Sequence, residues 1–255
     1  MSFKDKVVII TGASSGIGRS TALQLAELGA RLTITGRDEE KLESVADEIE
    51  TVSGKKPLTV VAELREEAEV KNIIEATLQR YSAINVLVNN AATLELGGIE
   101  YTTMDQFDNV FNTNVRGTFQ LTLLAVPYLI KTRGCIVNVS SINAIRSYPF
   151  SVAYNMSKAA LDQMTRCLSV ELAYRGVRVN SVNPGLIRTE FMKRGGLNNL
   201  AFTQALEFGK KNQPLGRLGE PDEVAKCIIL LADDESFFIN GVILPVDGGK
   251  VNCSS

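Results

Sequence analysis

The chain of 255 residues has no histidine and no tryptophan. Without imidazole, Ser-His-Asp and Cys-His catalysis is excluded, as is any histidine-ligated zinc or non-haem iron site. Proton chemistry must then rest on Tyr, Lys, Asp, Glu or Cys. Cysteine is sparse: Cys135, Cys167, Cys227 and Cys253 form no Cys-x-x-Cys pair, which argues against a metal cluster and fits reduced thiols in a cytoplasmic protein. Long apolar runs are missing too. Residues 7–10 are too few for a signal-peptide core, and no stretch approaches the roughly 18 residues of a membrane span. The terminal Cys253 stands third from the end, where a prenylation box needs it fourth. Finally, charge of one sign is lacking: 27 basic against 29 acidic residues give a net charge of −2 and no electrostatic footprint for nucleic acid.

What is present is a regular alternation. Short β-branched runs at 7–10, 31–35, 58–61, 84–88, 135–139, 177–182 and 242–246 are separated by amphipathic stretches. Leu42, Val45 and Ile49 show their helical spacing. Strand–helix alternation of this kind predicts right-handed crossovers and an α/β fold: a Rossmann-like, doubly wound, seven-stranded parallel sheet with helices on both faces. Strands such as Val86-Leu87-Val88 are apolar throughout because they are buried on both sides. No linker or repeat interrupts the pattern, so residues 1–255 are expected to form one dinucleotide-binding and catalytic domain. The exception is 189–218, which combines Phe191, Met192, Leu197, Leu200, Phe202, Leu206 and Phe208 with Gly195-Gly196 and has no strand pattern. It reads as a covering segment over a site, with a subunit contact as the alternative.

Directly after the first strand comes Thr11-Gly12-Ala13-Ser14-Ser15-Gly16-Ile17-Gly18, opening a helix that runs to about Leu28. Glycines there allow backbone N–H groups to approach a pyrophosphate at the helix N-terminus. The spacing Gly-x-x-x-Gly-x-Gly differs from the usual Gly-x-Gly-x-x-Gly, so the turn alone is also explained as a plain connection. The second strand ends at Thr35-Gly36-Arg37-Asp38. Sites for NAD place an acid here against the ribose 2′-hydroxyl, whereas Arg accommodates a 2′-phosphate. Gly36 leaves the acidic position empty and Arg37 follows, favouring NADP over NAD. Asp38, Glu39 and Glu40 weigh on the other side.

A general acid is offered by Tyr154-Asn155-Met156-Ser157-Lys158, since residues four apart on a helix share a face. Ser141 lies just beyond the fifth strand, at the ligand-facing edge of a parallel sheet. Together with Asn89-Asn90-Ala91-Ala92, Asn114 and Asn183-Pro184-Gly185 followed by Thr189, these motifs make the chain resemble a short-chain dehydrogenase/reductase of the roughly 250-residue branch. The likeness runs from Lys6 to Gly249.

The resemblance implies hydride transfer between a nicotinamide and a carbonyl or alcohol. It makes Tyr154 the general acid/base and Ser141 the partner of the substrate oxygen. Lys158 would hold the nicotinamide ribose and depress the Tyr154 pKa, and Asn114 would anchor a water. Cofactor contacts carried over are Gly12, Ser14, Ser15, Gly16, Ile17, Gly18, Arg37, Glu63, Asn90, Ala91, Tyr154, Lys158, Pro184, Gly185, Ile187 and Thr189, with no metal. Three positions depart from the family pattern: Ala92 stands for Gly, Glu63 for Asp, and Ser15 where many NADP-preferring relatives carry a basic residue.

Residues expected around the substrate are Leu94, Leu96, Ile142, Asn143, Tyr148, Pro149, Phe150, Leu186, Phe191 and Met192, mainly apolar. They suggest a lipophilic carbonyl compound of steroid, retinoid, isoprenoid or fatty-acyl type. The favoured reading is an NADPH-dependent carbonyl reductase. An NAD-dependent alcohol dehydrogenase working oxidatively and a cofactor-binding regulatory protein without turnover are the competing ones. The resemblance also implies a homo-oligomer, dimer or tetramer, built through helices at about 104–132 and 152–175.

Overall fold

The structure is a computed structural model that describes residues 2–196 and 198–253; Leu197 of the expected covering segment lies outside them. Seven parallel strands form one sheet in the order β3-β2-β1-β4-β5-β6-β7. They are β1 (Val7–Thr11), β2 (Arg31–Gly36), β3 (Leu58–Val61), β4 (Val86–Asn89), β5 (Cys135–Val139), β6 (Arg178–Pro184) and β7 (Ile243–Val246). Strand order reverses between β1 and β4, and a crevice opens there at the carboxyl edge, where ligands bind in open α/β sheets.

Alternation along the strands feeds two cores. Val8, Ile10, Leu32, Ile34, Val86 and Val88 pack with α1 (Gly16–Glu27), α2 (Glu39–Ser53) and α9 (Pro221–Ala232). Ile9, Leu87, Ile136 and Val179 point the other way, onto α3 (Glu67–Tyr81) and α5 (Thr118–Thr132). Because successive side chains leave a strand on opposite faces, a continuous apolar run serves both layers at once.

The expected helix at 104–132 is instead three pieces. α4 (Met104–Phe111) begins with a capping box between Thr103 and Gln106, and a π-helical segment, Asn112–Gly117, joins it to α5. A Cβ at Gly117 would collide with the Leu64 carbonyl, so the segment runs hard against the loop after β3. α6 (Val152–Glu171) carries the Tyr154 motif and is followed by a short 3-10 turn, Ala173–Arg175. Within the expected covering segment, α7 (Phe191–Arg194) and α8 (Asn199–Lys211) form, and neither has a buried residue. Even so, Gly209 brings α8 against Leu186, whose side chain occupies the place a Cβ would take. Among the described residues no helix is long and apolar enough to cross a membrane, and no cluster of acidic or sulfur side chains could hold a metal.

Candidate active site

A cavity at the carboxyl edge gathers most of the expected residues on one surface. Gly12, Ser14, Ser15, Gly16 and Ile17 line it from the β1–α1 turn, and Arg37 and Glu63 from the ends of β2 and β3. Asn90 and Ala91 contribute from beyond β4, and Ser141, Tyr154 and Lys158 from β5 and α6. Pro184, Gly185, Ile187 and Thr189 close it after β6, with Phe191, Met192 and Arg194 of α7. Two expected contacts are not on this surface, Gly18 and Asn114.

The turn takes its shape from glycine. Gly12 and Gly16 have φ of +64° and +56°, left-handed values that cost a side chain but not glycine. Ser15 is the N-cap of α1, yet its side chain makes no cap hydrogen bond, which leaves first-turn N–H groups free for an anion. Gly18 works beneath the turn. A Cβ there would lie 2.5 Å from Asn90 Nδ2, and that amide donates to the carbonyls of Thr11 (2.8 Å) and Gly12 (3.1 Å). Gly18 and Asn90 thus lock the loop from behind.

These features fit a nicotinamide dinucleotide. The free N–H groups suit a pyrophosphate, and two buried hydroxyls without partners, those of Thr35 and Thr113, belong to residues that border the same cavity. At the adenosine corner, Arg37 pairs with Glu63 at 3.3 Å, and Arg65 holds the same carboxylate at 3.0 Å. Burial pushes the Glu63 carboxyl up, but the hydrogen bonds and charge of Arg65, and then Arg37, outweigh it and lower the pKa. A Cβ on Gly36 would stand 3.2 Å from Ser14 Oγ, so an acid at this position would press on the phosphate turn.

At the opposite end, Tyr154 is buried against Phe191, with ring centroids 5.8 Å apart. Burial pushes its phenol up to about 12, opposed only by a hydrogen bond with Ser141. Ser141 Oγ also accepts the Asn143 backbone N–H at 3.1 Å, which fixes the hydroxyl at the mouth of β5. Lys158 is only 2% exposed; its Nζ donates to the Val139 carbonyl at 2.8 Å and lies 5.6 Å from the Tyr154 ring centroid. Burial brings its pKa down to about 8, with the charge of Asp162 working against the fall. Without cofactor, desolvation is the largest influence on both groups.

Asn114 sits in the π-helical segment. Its Oδ1 accepts from Thr93 N (2.8 Å), and its Nδ2 donates to Thr93 O (2.9 Å) and Ser157 Oγ (3.0 Å). It ties the chain after β4 to α6, one residue before Lys158. Of the expected substrate residues, Leu186, Phe191 and Met192 reach the cavity, whereas Phe150 is 69% exposed.

Sequence reasoning passed over two residues. Asp162, one turn beyond Lys158, is buried and accepts from Asn183 Nδ2 at 2.8 Å; an acid four residues after the lysine was the available signal. Arg194 reaches the cavity from α7, and no local pattern marks it.

Comparisons with known proteins agree with this geometry. The sequence model of a family described as Enoyl-(Acyl carrier protein) reductase matches residues 12–250. The chain is 38% identical over 252 residues to the 3-oxoacyl-[acyl-carrier-protein] reductase FabG of Thermotoga maritima, covering 98% of this chain and 100% of that protein. It is 35% identical to the (2S)-[(R)-hydroxy(phenyl)methyl]succinyl-CoA dehydrogenase subunit BbsD of Thauera aromatica, covering 98% of each. Among solved structures, levodione reductase superposes with a TM-score of 0.92 at 32% identity, covering 98% of this chain and 99% of that one. A short-chain dehydrogenase/reductase of unknown function from Caenorhabditis elegans, solved with cofactor, gives 0.93 at 38% identity, covering 99% and 97%. A family match from Gly12 to Lys250, full-length relatives and the same fold carry one conclusion: the chain belongs to the short-chain dehydrogenase/reductase family and is an oxidoreductase resembling the 3-oxoacyl reductases.

Proposed function

We propose that the protein reduces the carbonyl of a lipophilic small molecule to an alcohol, using NADPH. One observation carries this reading: a phenol kept neutral by burial stands beside apolar Phe191, Met192 and Leu186, while Arg37 marks the far end of the same cavity. A neutral phenol is already a competent proton donor to a carbonyl oxygen gaining negative charge. When bound, the nicotinamide supplies the hydride. Tyr154 donates its proton to the carbonyl oxygen, and Ser141 holds that oxygen through its hydroxyl. The Lys158 ammonium stabilises the charge left on the phenolate. The fatty-acyl class is favoured among lipophilic carbonyls by the two relatives named for acyl-carrier-protein and CoA thioester substrates. The segment containing α7 and α8 covers the substrate, and residues 1–255 act as one catalytic domain.

Separate fluorescence titrations with NADPH and NADH test the cofactor, and a panel of lipophilic ketones and thioesters against small keto acids tests the substrate. Tighter binding of NADPH and turnover of the lipophilic compounds are expected. Turnover restricted to small charged keto acids sinks the substrate class, and an oxidative reaction supported by NAD alone would favour the alcohol dehydrogenase.

The pH dependence is also fixed in direction. Reduction needs the Tyr154 proton and the Lys158 charge, so its rate should be level below about pH 8. Above that it should fall as Lys158, with a pKa of about 8, loses its proton. Oxidation needs the phenolate and should climb with pH, because the Tyr154 pKa is raised to about 12. The two groups titrate as a coupled pair, and initial rates in both directions from pH 6 to 10 check the opposite slopes. The protein is further read as a cytoplasmic homo-oligomer, dimer or tetramer. Exposed Phe119 and Leu123 on α5, and Val170 on α6, support contacts through those helices.

A further inference from the structure

The cation that sequence comparison with NADP-preferring relatives finds missing at Ser15 has a substitute elsewhere in the chain. Arg194 ends α7 and lines the dinucleotide cavity together with Arg37, although the two are far apart in sequence. Their charges are close enough to interact. Loss of hydration is the first influence lowering the Arg194 pKa and the Arg37 guanidinium the second, with the Glu190 carboxylate working against both. Arg194 also acts on Lys41, in the first turn of α2 just past Arg37. The other charges around it are matched: Arg37 with Glu63 at 3.3 Å, Lys41 with Asp38 at 2.8 Å, and Lys193 with Glu190 at 3.4 Å. Arg194 has no carboxylate within ion-pair distance among the described residues; its guanidinium lies 6.0 Å from the Phe191 ring centroid.

Arg194 is exposed, and the Arg37 side chain is 57% exposed; two guanidiniums lining one cavity, with only Glu190 offsetting Arg194, repel each other less once an anion enters between them. Its charged neighbours locate that anion. Arg37 and Lys41 stand at the end of β2 and the start of α2, whereas the pyrophosphate turn Gly12–Ile17 carries no charged side chain. We propose that Arg194 is a specificity residue for the cofactor, closing over its adenosine ribose 2′-phosphate from the side opposite Arg37. Phe191, three residues earlier, packs on Tyr154, so one short helix touches both ends of the cavity.

This inference rests on the NADPH reading above, and fragments of the cofactor separate the two. The probes are 2′,5′-ADP and 5′-AMP, titrated calorimetrically against the wild type, Arg37→Gln, Arg194→Gln and Arg194→Lys. Wild type should bind 2′,5′-ADP more tightly. Arg194→Gln should weaken 2′,5′-ADP and NADPH by about tenfold, as for loss of one charge-assisted contact, and leave 5′-AMP and NADH unchanged. Arg194→Lys should recover part of that loss, and the salt dependence of NADPH binding should flatten in Arg194→Gln. If Arg37→Gln loses the preference for 2′,5′-ADP while Arg194→Gln keeps it, the Arg194 inference falls and the NADPH reading stands. Equal weakening of all four ligands in Arg194→Gln places the guanidinium on the pyrophosphate and also overturns it. A wild type blind to the 2′-phosphate overturns both.

Discussion

Replacing Tyr154 by Phe is expected to lower kcat by about 10²–10⁴-fold, the usual contribution of a positioned general acid. Cofactor affinity should fall by no more than about tenfold, because a single hydrogen bond is the most that the hydroxyl offers a bound dinucleotide. The substitution is nearly isosteric. The ring keeps its packing on Phe191, 5.8 Å between centroids, and only the phenol's interaction with Ser141 is lost. Stability should therefore change little, and a fall in turnover will report chemistry and not unfolding. The effect belongs to kcat and kcat/KM alike, as for an interaction made only in the transition state. Single-turnover rates of NADPH oxidation, alongside fluorescence titration of NADPH, separate the two quantities. Undiminished turnover in Tyr154→Phe would remove the phenol from the mechanism, and Lys158 would be the remaining buried proton donor.

Much of this site was legible before any coordinates. The phosphate turn, Arg37, Ser141 and the Tyr154–Lys158 pair are local patterns, and parallel-sheet topology brings the carboxyl ends of strands together whatever their separation in sequence. Strand edges moved by only one or two residues. The run at 84–88, for example, became Val86–Asn89, with the Asn85 side chain accepting from Val7 N at 2.9 Å just before the ladder begins.

The break in the helix at 104–132 was hidden because its apolar spacing continues across it. Gly117, in the π-helical turn, lies hard against Leu64, a contact between distant segments that periodicity cannot register. Residues 189–218 stood out by composition alone. Their helices bury no residue, and Leu200 and Phe208 stay exposed, so the hydrophobic pattern had no core to point to. Arg194 escaped for a related reason: its neighbours Arg37 and Lys41 lie on another element, and its chemistry exists only after folding.

The last consequence concerns stability. Lys158 is 2% exposed and its pKa is held at about 8, against about 10.4 for a free lysine. A lysine with a lowered folded-state pKa destabilises the fold at low pH. Below about 8 it is charged in both states and carries the full desolvation penalty; between about 8 and 10.4 the unfolded chain binds more protons, so stability rises with pH. A shift of this size corresponds to about 3 kcal/mol at neutral pH. Lys158→Met keeps the length and packing of the side chain and removes that penalty. It leaves the Val139 carbonyl without its 2.8 Å donor, a cost of about 1–2 kcal/mol. It also deprives Asp162 of a nearby cation, although the Asn183 amide still holds that carboxyl at 2.8 Å.

The net expectation is a gain of about 1–2 kcal/mol, or a Tm higher by about 2–4 °C in a chain of this size. Turnover in the same variant should be lost, since the phenolate left on Tyr154 would face no ammonium. Thermal unfolding of the two proteins from pH 7 to 10 provides the check, and the gap between their Tm values should narrow as pH rises and the wild-type lysine sheds its proton. A lower Tm for Lys158→Met at pH 7 would mean that the ammonium stabilises the fold where it stands. The buried charge is instead expected to be a cost to the fold, kept where it can steady a proton transfer.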